Sequence, residues 1–490
     1  MQNGSLLAAV DLGSNSFRLE MGRLDRGQIL RVQYFKEPVR LGAGLDEARN
    51  LTTDAMERGW QSLARFSEQL SSFKPNQVRA AATQTLREAR NRDAFLDRAR
   101  DILGLPIDVI SGREEARLIY QGVAHLLPQS DDKRLVVDIG GRSTELILGQ
   151  GYQADVMESF RVGSVAWSLR YFPQGQFTAS AFERAEVAAQ AILDGALDTY
   201  TRDRWEVAYG SAGTISAVGD ILLATGQTKG EVTRDGIDWL RQQLLQARSA
   251  DRLRLPALKD DRRPVIAGGL SVLQAVFSLL DIERMEPAGG GLRHGLLYDL
   301  IDREHVESDV RVATIDRLAI RFDVDRKQAR RVAQAAVQLL QQLGPASNQD
   351  ADRQLAWAAQ LHEVGIQISH SDYHKHGAYI LDNTDAAGFS QQELHRLGLL
   401  VLGHRGKLRK LEADFNDEVF VEQLLCLRLA VILCHARREP DLRGLELGRS
   451  ARAFKMALPA HWAAAYPQSL HLLREEAVAW QKTPWSFGIA

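Results

Sequence analysis

The chain has 490 residues, of which 45% are hydrophobic and 25% are charged, and its formal net charge is −2. A single compact core does not reach this length, so we expect roughly three or four domains. The small net charge excludes a global positive field, and any surface that binds a polyanion must therefore be a local patch.

The N-terminal residues MQNGSLLAAVDLG enter a strand-like run at once. They lack a basic segment followed by an apolar one, so we do not expect a secretory signal. The sequence contains no run of about 18 apolar residues, so we expect no membrane span. Cys426 and Cys434 share one helical stretch, which would separate them by about 12 Å and prevent a disulfide. We expect a cytoplasmic protein in which both thiols are buried.

An internal repeat organises the first part of the chain. Residues 8–22 read AAVDLGSNSFRLEMG and residues 135–149 read LVVDIGGRSTELILG, so that Asp11 aligns with Asp138. Each segment contains an apolar β run, an aspartate, a turn of small residues and a second β run, a pattern that predicts a hairpin. Two copies of the hairpin predict two similar lobes that face one another.

The elements that follow each hairpin alternate between helices and strands, which indicates α/β lobes. The patterns predict helices at 54–73 and 181–201 and strands at 77–83 and 206–214. From about residue 303 the segments become helical, with few strand signals. The expected domains are lobe I at 1–124, lobe II at 125–302, a helical domain at 303–445 and a small α+β cap at 446–490.

The hairpin tips have the composition of phosphate-binding turns. Glycine lets the backbone approach a phosphate closely, while hydroxyls and consecutive N–H groups form an anion-binding nest. An aspartate at the strand end can hold hydrated magnesium or a water molecule. Turns of small residues at 210–216 and 288–300 also precede helices, whose N-termini bind phosphates, although either could be only a tight turn. Together, the four turns predict a cleft lined by phosphate-binding backbone.

The segment VISGREEARLIYQGV at 109–123 begins a helix with two adjacent carboxylates, Glu114 and Glu115. Acidic residues in a first helical turn are favoured by the helix dipole, which is a purely structural explanation. A carboxylate at the junction of the two lobes could instead orient a water molecule for in-line attack. The pattern does not distinguish Glu114 from Glu115 in that role.

Six segments of the chain resemble the exopolyphosphatase and guanosine pentaphosphate phosphohydrolase family. In chain order they read VDLGSNSFR, TLREA, SGREEARLIYQGV, VVDIGGRSTEL, GSAGT and GLRHGLLYDL. The resemblance covers essentially the whole chain and places it in the actin-like superfamily of sugar kinases and chaperone ATPases. It implies an α/β fold in which two actin-like, ribonuclease H-like lobes enclose a cleft, followed by an all-helical HD-like domain and a small α+β C-terminal cap.

The resemblance also implies roles for individual residues. The catalytic glutamate falls on Glu115, the magnesium-associated acids fall on Asp138 and Glu145, and Arg87 of the TLREA segment is implied as a phosphate contact. The other implied substrate-binding residues are Asp11, Gly13, Ser14, Asn15 and Ser16 in the first loop, Gly140, Gly141, Ser143 and Thr144 in the second, and Gly213 and Thr214 in the GSAGT turn.

The second loop departs from the family pattern at Arg142, where a third small residue is usual. Arg142 aligns with Asn15 of the first repeat, so the backbone there can carry a side chain. An arginine in a phosphate loop would supply bidentate donors. We therefore predict that Arg142 binds substrate, although its side chain could instead narrow the cleft.

The segment LHEVGIQISHSDYHKHGAYIL at 361–381 resembles the HD-type region of the family. The His-Asp pair of a metal-binding HD site is replaced here by His362 and Glu363. Further histidines superficially indicate a metal site; they are His370, His374, His376 and His404. The resemblance implies a degenerate, metal-free HD fold, and we expect these histidines to be structural or to line a substrate channel.

We therefore predict a processive exopolyphosphatase, a hydrolase that removes terminal phosphates from inorganic polyphosphate. Mg²⁺ held by Asp138 and Glu145 would neutralise the phosphate oxygens while Glu115 orients and deprotonates the water. Basic clusters at 326–331 and 403–410 could form a track for a long polyanion, or could be solvated surface.

Three alternatives remain open. AMERGW and EEARLIYQGVAH resemble the branch that hydrolyses guanosine pentaphosphate at its 5′ end, whereas SHSDYHKHGAYIL resembles the polyphosphatase branch. The chain could also be an ATP-dependent kinase of the superfamily, or a non-catalytic sensor of nucleotide or polyphosphate. The family resemblance implies a homodimer, and the expected partners are polyphosphate or guanosine pentaphosphate rather than nucleic acid.

Overall fold

The first hairpin belongs to a five-stranded sheet in the computed structural model, which describes residues 1–344 and 349–490. Its strands are β1 (Leu6–Leu12), β2 (Phe17–Asp25), β3 (Gln28–Glu37), β4 (Val78–Ala82) and β5 (Ile107–Val109). They lie in the order β3-β2-β1-β4-β5, with β1 antiparallel to β2 and parallel to β4. Both β1 and β4 are almost wholly buried, as expected of central strands covered on both faces.

Four helices accompany this sheet: α1 (Thr53–Leu70), α2 (Gln84–Glu88), α3 (Arg92–Leu103) and α4 (Gly112–Ala124). The apolar face of α1 buries Leu63 and Phe66 in the core of this lobe. Helix α1 begins where the Thr52 hydroxyl accepts a hydrogen bond from the Ala55 amide at 3.4 Å, a favourable N-terminal cap. The predicted helix at 54–73 and strand at 77–83 correspond to α1 and β4.

The second hairpin belongs to a six-stranded sheet with a related topology. Its strands are β6 (Lys133–Ile139), β7 (Thr144–Gln150), β8 (Gln153–Phe160), β9 (Val207–Ser211), β10 (Val232–Thr233) and β11 (Arg284–Pro287), in the order β10-β11-β9-β6-β7-β8. Here β6 is antiparallel to β7 and parallel to β9, which repeats the pairing of β1 with β2 and β4. The two similar lobes predicted from the repeat are therefore confirmed, and so is the actin-like fold that the family resemblance implies.

The helices of the second lobe are α5 (Ser164–Tyr171), α6 (Ala179–Leu193), α7 (Ala212–Ala224), α8 (Arg234–Ala247), α9 (Ile266–Leu279) and α10 (Leu292–Asp302). Helices α4 and α10 pack with their backbones in contact. A Cβ atom on Gly295 would lie only 1.8 Å from the Leu118 carbonyl oxygen, and one on Gly122 would lie 2.1 Å from that of Gly291. Glycine at these positions lets the two helices approach more closely than any side chain would permit.

Asp299 is the centre of a buried ion network that joins α4, α10 and β4. Its Oδ1 accepts a hydrogen bond from Arg117 Nη2 at 2.5 Å, and its Oδ2 accepts from Arg303 Nε at 2.7 Å and from Arg79. Although burial alone would raise it, the charges of Arg79 and Arg117 hold the pKa of Asp299 well below its usual range. Glu114 accepts two further hydrogen bonds from Arg117. This network fixes α4 against β4 and α10.

These elements form one compact unit, Met1–Asp309, and the rest of the chain forms another, Val310–Ala490. The second unit contains α11 (Val310–Arg321), α12 (Arg326–Leu343), α13 (Gln349–Gln360), α14 (Tyr373–Asp382), α15 (Gln391–Gly403), α16 (Glu418–Leu433), β12 (Glu446–Ser450), β13 (Ala453–Ala457), α17 (Ala460–Ala465), α18 (Pro467–Trp480) and β14 (Ser486–Ile489). Its helices and its three-stranded sheet share one hydrophobic core. The predicted fold class of this part of the chain, helical with a small α+β element at its C-terminal end, is confirmed.

Three histidines of the second unit, His362, His374 and His404, are buried, whereas His370 is exposed. His362 and His404 are buried with their ring centroids 5.4 Å apart, and the Nδ1 atom of each lies 2.6 Å from a backbone carbonyl oxygen. In the described parts of the chain, no group of three or more His, Cys, Asp or Glu side chains is arranged to hold a metal ion. No helix in those parts is long and apolar enough to cross a bilayer.

Ion pairs occupy part of the basic cluster at 326–331. Arg326 contacts Asp316 at 3.2 Å and Arg331 contacts Glu439 at 3.1 Å. Helix α12 begins at this cluster because Asp325 accepts hydrogen bonds from two backbone amides of its first turn, which offsets the unfavourable placement of basic residues there.

Candidate active site

A cavity of about 420 Å³ opens between the tips of the two hairpins, in the first unit. Its wall contains turn residues from all four predicted loops. The residues predicted from the sequence that line it are Asp11, Gly13, Ser14, Asn15, Ser16, Glu115, Asp138, Gly140, Gly141, Ser143 and Gly213. The topology thus brings together segments that are far apart in the chain, because the hairpin tips lie at corresponding ends of two related sheets.

Close backbone contacts shape the cavity. A Cβ atom on Gly141 would lie 3.2 Å from the Ser14 Cβ, so the two hairpin tips touch. The fourth turn passes through Gly290 and Gly291, whose φ angles are +90° and +133°. A Cβ atom on Gly290 would lie 2.3 Å from the Gly122 carbonyl oxygen. Only glycine gives this turn both its backbone conformation and its close approach to α4.

A pair of buried acids lies on the second hairpin. Asp138 on β6 and Glu145 on β7 are direct cross-strand partners. Burial raises the pKa of Asp138 to about 6, with a hydrogen bond from Ser211 opposing the shift and the negative charge of Glu115 adding to it. Burial and the charges of Glu115 and Asp138 also raise the pKa of Glu145 well above its usual value. Two buried carboxylates, with Glu115 near them, therefore have raised pKa values at this hairpin.

Glu115 is oriented by Arg87. The Nη1 atom of Arg87 donates a hydrogen bond to Glu115 Oε2 at 2.8 Å and another to the Ile110 carbonyl oxygen at 2.8 Å. Burial raises the pKa of Glu115, although the charge of Arg87 opposes the shift. Glu114, by contrast, accepts hydrogen bonds from Arg117 in the buried network described above. Of the two carboxylates that the sequence pattern did not separate, Glu115 is the one in the cavity wall.

The acids of the second hairpin are the residues that the sequence predicts to hold magnesium. Mg²⁺ is usually bound by one or two carboxylates together with substrate phosphates and water, and seldom by a complete set of protein ligands. Asp138 lines the cavity, while Glu145, its cross-strand partner, is not part of the lining and accepts a hydrogen bond from Ser159 Oγ at 2.7 Å. Burial, and then repulsion from the neighbouring carboxylates, raises both pKa values, and a divalent cation would relieve that repulsion. The carboxylate of Asp138 therefore fits the predicted metal, and the role of Glu145 as a second ligand stays a prediction.

The cavity is also strongly basic, which the sequence analysis missed. Arginine and lysine side chains from both lobes line it, namely Arg18, Arg31, Lys36, Lys259, Arg262 and Arg293. Arg18 and Arg293 stand within the family-like segments, but the orientation of their side chains depends on the fold. Arg262 packs on the third turn, since a Cβ atom on Gly213 would lie 1.9 Å from its Nη2. The excess of cations is suited to an anion with several phosphates.

Five predicted residues are not part of this lining, as far as the described chain defines it: Arg87, Arg142, Thr144, Thr214 and Glu145. Arg142 Nη2 and Nε donate hydrogen bonds to Glu88 Oε2 at 2.8 and 3.2 Å. Thr144 Oγ1 donates to the Val162 carbonyl oxygen at 2.6 Å. A direct contact between Arg142 and substrate stays a prediction.

Comparison with known proteins relates this site to a family of phosphatases. Residues 23–304 match the Ppx/GppA phosphatase family, and residues 310–477 match domain III of the Ppx/GppA phosphatase. A protein of Vibrio atlanticus is 39% identical, and one of Vibrio cholerae is 38% identical, over 490 residues that cover 99% of this chain and 98% of each relative. The crystal structure of the Aquifex aeolicus member of the Ppx/GppA family superposes with a TM-score of 0.51 at 26% identity, covering 61% of this chain and 98% of that chain.

Both Vibrio relatives are named guanosine-5′-triphosphate,3′-diphosphate pyrophosphatase. The prediction of an exopolyphosphatase is therefore wrong, since the full-length relatives carry the name of the alternative activity. The motifs did not distinguish the two because they bind phosphates, which both substrates contain. The track for long polyphosphate chains loses its basis together with that prediction.

Proposed function

The chain belongs to the Ppx/GppA phosphatase family, and from this premise we propose that it removes the terminal 5′-phosphate of guanosine-5′-triphosphate,3′-diphosphate, or guanosine pentaphosphate. The names of the Vibrio relatives support this substrate. The observation that carries the proposal is the position of Glu115, whose carboxylate lines the same cavity as both hairpin loops. A base beside loops that hold a phosphate is the arrangement that hydrolysis of a phosphoanhydride requires.

The hairpin loops hold the terminal phosphates in line. Ser16 Oγ is buried and has no hydrogen-bond partner among the described residues, so it is available to donate to a phosphate oxygen. Ser143 and the glycine amides of the second loop face it across the cavity. These fixed donors stabilise developing charge without reorganising.

Glu115 accepts a proton from the attacking water. Its raised pKa brings it closer to the range in which a general base is effective, and the hydrogen bond from Arg87 keeps one carboxylate oxygen fixed. The other oxygen is then the one that orients the water. Mg²⁺, when held by Asp138 and Glu145, would neutralise charge on the phosphate oxygens.

The basic side chains of the cavity complement the second phosphate group of this nucleotide. Guanosine pentaphosphate carries phosphates at both its 5′ and its 3′ positions, and it therefore presents negative charge in two directions. Cations on both lobes, such as Arg31 in β3 and Arg262 near α9, line the cavity outside the hairpin loops. They would hold the 3′-diphosphate while the loops hold the 5′ end.

The test is to incubate the purified chain with guanosine pentaphosphate, Mg²⁺ and no acceptor other than water. We expect orthophosphate and guanosine 5′-diphosphate,3′-diphosphate in equal amounts. Phosphate transfer that requires an added acceptor would indicate a kinase, and binding without turnover would indicate a sensor. Either result would overturn the proposal. Inorganic polyphosphate provides the comparison substrate under the same conditions.

A further inference from the structure

A continuous chain of side-chain hydrogen bonds joins the second phosphate loop to Glu115. Arg142 Nη2 and Nε donate to Glu88 Oε2 at 2.8 and 3.2 Å. Gln84 Nε2 donates to Glu88 Oε1 at 2.6 Å. Gln84 Oε1 in turn accepts from Arg87 Nη2 at 2.6 Å and from Arg87 Nε at 3.1 Å. Arg87 Nη1 completes the chain by donating to Glu115 Oε2 at 2.8 Å.

Helix α2 is the bridge in this chain. It contributes Gln84, Arg87 and Glu88, which stand three and four positions apart and therefore share one face of the helix. Arg142 reaches this face from the turn between β6 and β7, and Glu115 reaches it from α4. The chain therefore connects three segments of the sequence that meet only in the folded protein.

The charges on either side of Gln84 set the direction of its amide in this chain of hydrogen bonds. The amide of Gln84 directs its oxygen to the Arg87 guanidinium and its nitrogen to the Glu88 carboxylate. The reversed amide would direct N–H donors at a cation and an oxygen at an anion, so the surrounding charges select one orientation. Although burial alone would raise it, the bonds from Gln84 and Arg142 lower the pKa of Glu88. Glu88 thus remains an ionised acceptor for both partners.

The side chains of this hydrogen-bond chain are largely shielded from solvent. The side chains of Glu88, Arg87 and Glu115 are 12%, 10% and 10% exposed, and that of Arg142 is 21% exposed. Hydrogen bonds in such surroundings are stronger than in water, and a broken one is not readily replaced by a water molecule. Arg142 is further fixed by a 3.2 Å hydrogen bond to the Gly42 carbonyl oxygen.

We infer that Arg142 is a positioning residue, which fixes Glu115 through Glu88, Gln84 and Arg87. The inference rests on the proposed function, in which Glu115 is the base. The conformation of the second phosphate loop then determines how well the base is aligned. Arg142, which departs from the small residue usual at this position, acts on the Glu115 carboxylate through the side chains of α2 and leaves the phosphate to the loop backbone.

Steady-state hydrolysis of guanosine pentaphosphate by matched variants tests this role. We expect Arg142→Ala and Glu88→Gln each to lower kcat roughly ten- to hundredfold, the range for a misplaced catalytic group, with KM changed less than about twofold. The double variant should be no slower than the slower single variant, because both substitutions break the same chain. Arg142→Lys, which can still reach a carboxylate, should recover part of the loss. Arg170→Gln, at an exposed position of α5, should behave as the unmodified chain.

The contrary outcome is a direct phosphate contact by Arg142. Arg142→Ala would then raise KM at nearly constant kcat, and Glu88→Gln would have little effect. This result would overturn the inference while leaving the proposed function intact. If Arg142→Ala does not fold, Glu88→Gln and Arg142→Lys make the same distinction.

A second measurement does not depend on activity. We expect the effects of Arg142→Ala and Arg87→Ala on the midpoint of chemical denaturation to be non-additive, because the hydrogen-bond chain couples the two sites. Additive effects would overturn the inference whether or not the unmodified chain hydrolyses guanosine pentaphosphate. Absence of hydrolysis by the unmodified chain, with coupled midpoints, would instead refute the proposed function alone.

Discussion

Asp138 and Glu145 lie directly opposite each other on the antiparallel strands β6 and β7. At the equivalent positions of the first hairpin, Asp11 faces Arg18 and forms an ion pair with it at 3.4 Å. Like charges directly opposite destabilise a sheet, whereas opposite charges stabilise it. The second hairpin therefore retains an unfavourable pair, which is typical of functional sites that bind a cation.

This pair predicts a pH-dependent stabilisation by Mg²⁺. The folded-state pKa of Asp138 is raised from 3.8 to about 6, so its ionisation lowers the stability of the metal-free protein as pH rises through about 6. Bound Mg²⁺ would remove that penalty. We expect Mg²⁺ to raise the melting temperature more at about pH 8 than at about pH 5, where Asp138 is largely protonated. Thermal melts with Mg²⁺ and with chelator provide the measurement.

The matched variant for this prediction is Asp138→Asn. It should stabilise the metal-free protein at about pH 8, because it removes one of the opposed charges, and it should greatly reduce the response to Mg²⁺. An equal Mg²⁺ response in the variant would mean that the ion acts at another site. Full activity of the unmodified chain in excess chelator would exclude a metal-dependent mechanism.

Glu115→Gln should lower the rate of hydrolysis by ~10²–10⁴-fold, the range for removal of a general base. Binding of guanosine pentaphosphate should be retained, because glutamine has nearly the same shape. Glu114→Gln is the control, since its hydrogen bonds from Arg117 place it in the buried network. That variant should lose stability and keep most of its turnover. Near-normal turnover in Glu115→Gln together with an inactive Glu114→Gln would show that Glu115 is not the base and that Glu114 is.

Much of this site follows from the sequence, because its backbone chemistry is local. The repeat predicts β1, β2, β6 and β7 correctly, since each hairpin combines apolar runs with a turn of small residues. The third strand of the first lobe, β3, was not predicted, although Leu30, Val32 and Tyr34 alternate with polar residues in its sequence. These three side chains are exposed and do not enter the core. The preference between Glu114 and Glu115 could not be derived from spacing, because it depends on which side of α4 faces Arg87 and the cavity.

Contacts between distant segments explain the remaining misses. Glu88 stands in the TLREA segment, and Arg142 in the second loop, yet nothing in either segment indicates that they pair. The cavity cations likewise come from strands, loops and a helix start in both lobes. A single sequence contains no signal for such pairings, which arise only when the two sheets pack.

Arg262 offers a test of the basic cavity wall. Arg262→Ala should weaken binding of guanosine pentaphosphate by about 1.5–3 kcal/mol, the range for a hydrogen bond to a charged group. Calorimetric titration of each variant combined with Glu115→Gln in the same chain would measure binding without turnover. The neighbouring Arg263, which binds Asp260 at 2.6 Å, is the control, and Arg263→Ala should change affinity little. Equal losses of affinity in both variants would show that the effect comes from the net charge and not from the position of Arg262.

Asp299→Ala should destabilise the first unit by about 3–5 kcal/mol, because it leaves the buried guanidinium groups of Arg79 and Arg117 without their shared partner. Chemical denaturation followed by tryptophan fluorescence measures the loss. Glu286→Ala provides a comparison, since its pair with Arg284 is exposed at 43% and 63% and such pairs contribute about 0–1 kcal/mol. A small loss in Asp299→Ala would show that the network rearranges around the substitution.

The glycine contacts between α4 and α10 constrain how the cavity can open. Gly295 packs against Leu118 and Gly122 packs against Gly291. Because no side chains separate the two helices at these points, we expect them to resist sliding along each other. We expect Glu115 on α4 and the turn through Gly290 to move together, because that turn packs directly on the backbone of α4 at Gly122. We therefore expect any widening of the cavity to come from movement of the hairpin tips relative to α4 and α10, while Glu115 keeps its place beside the turn through Gly290.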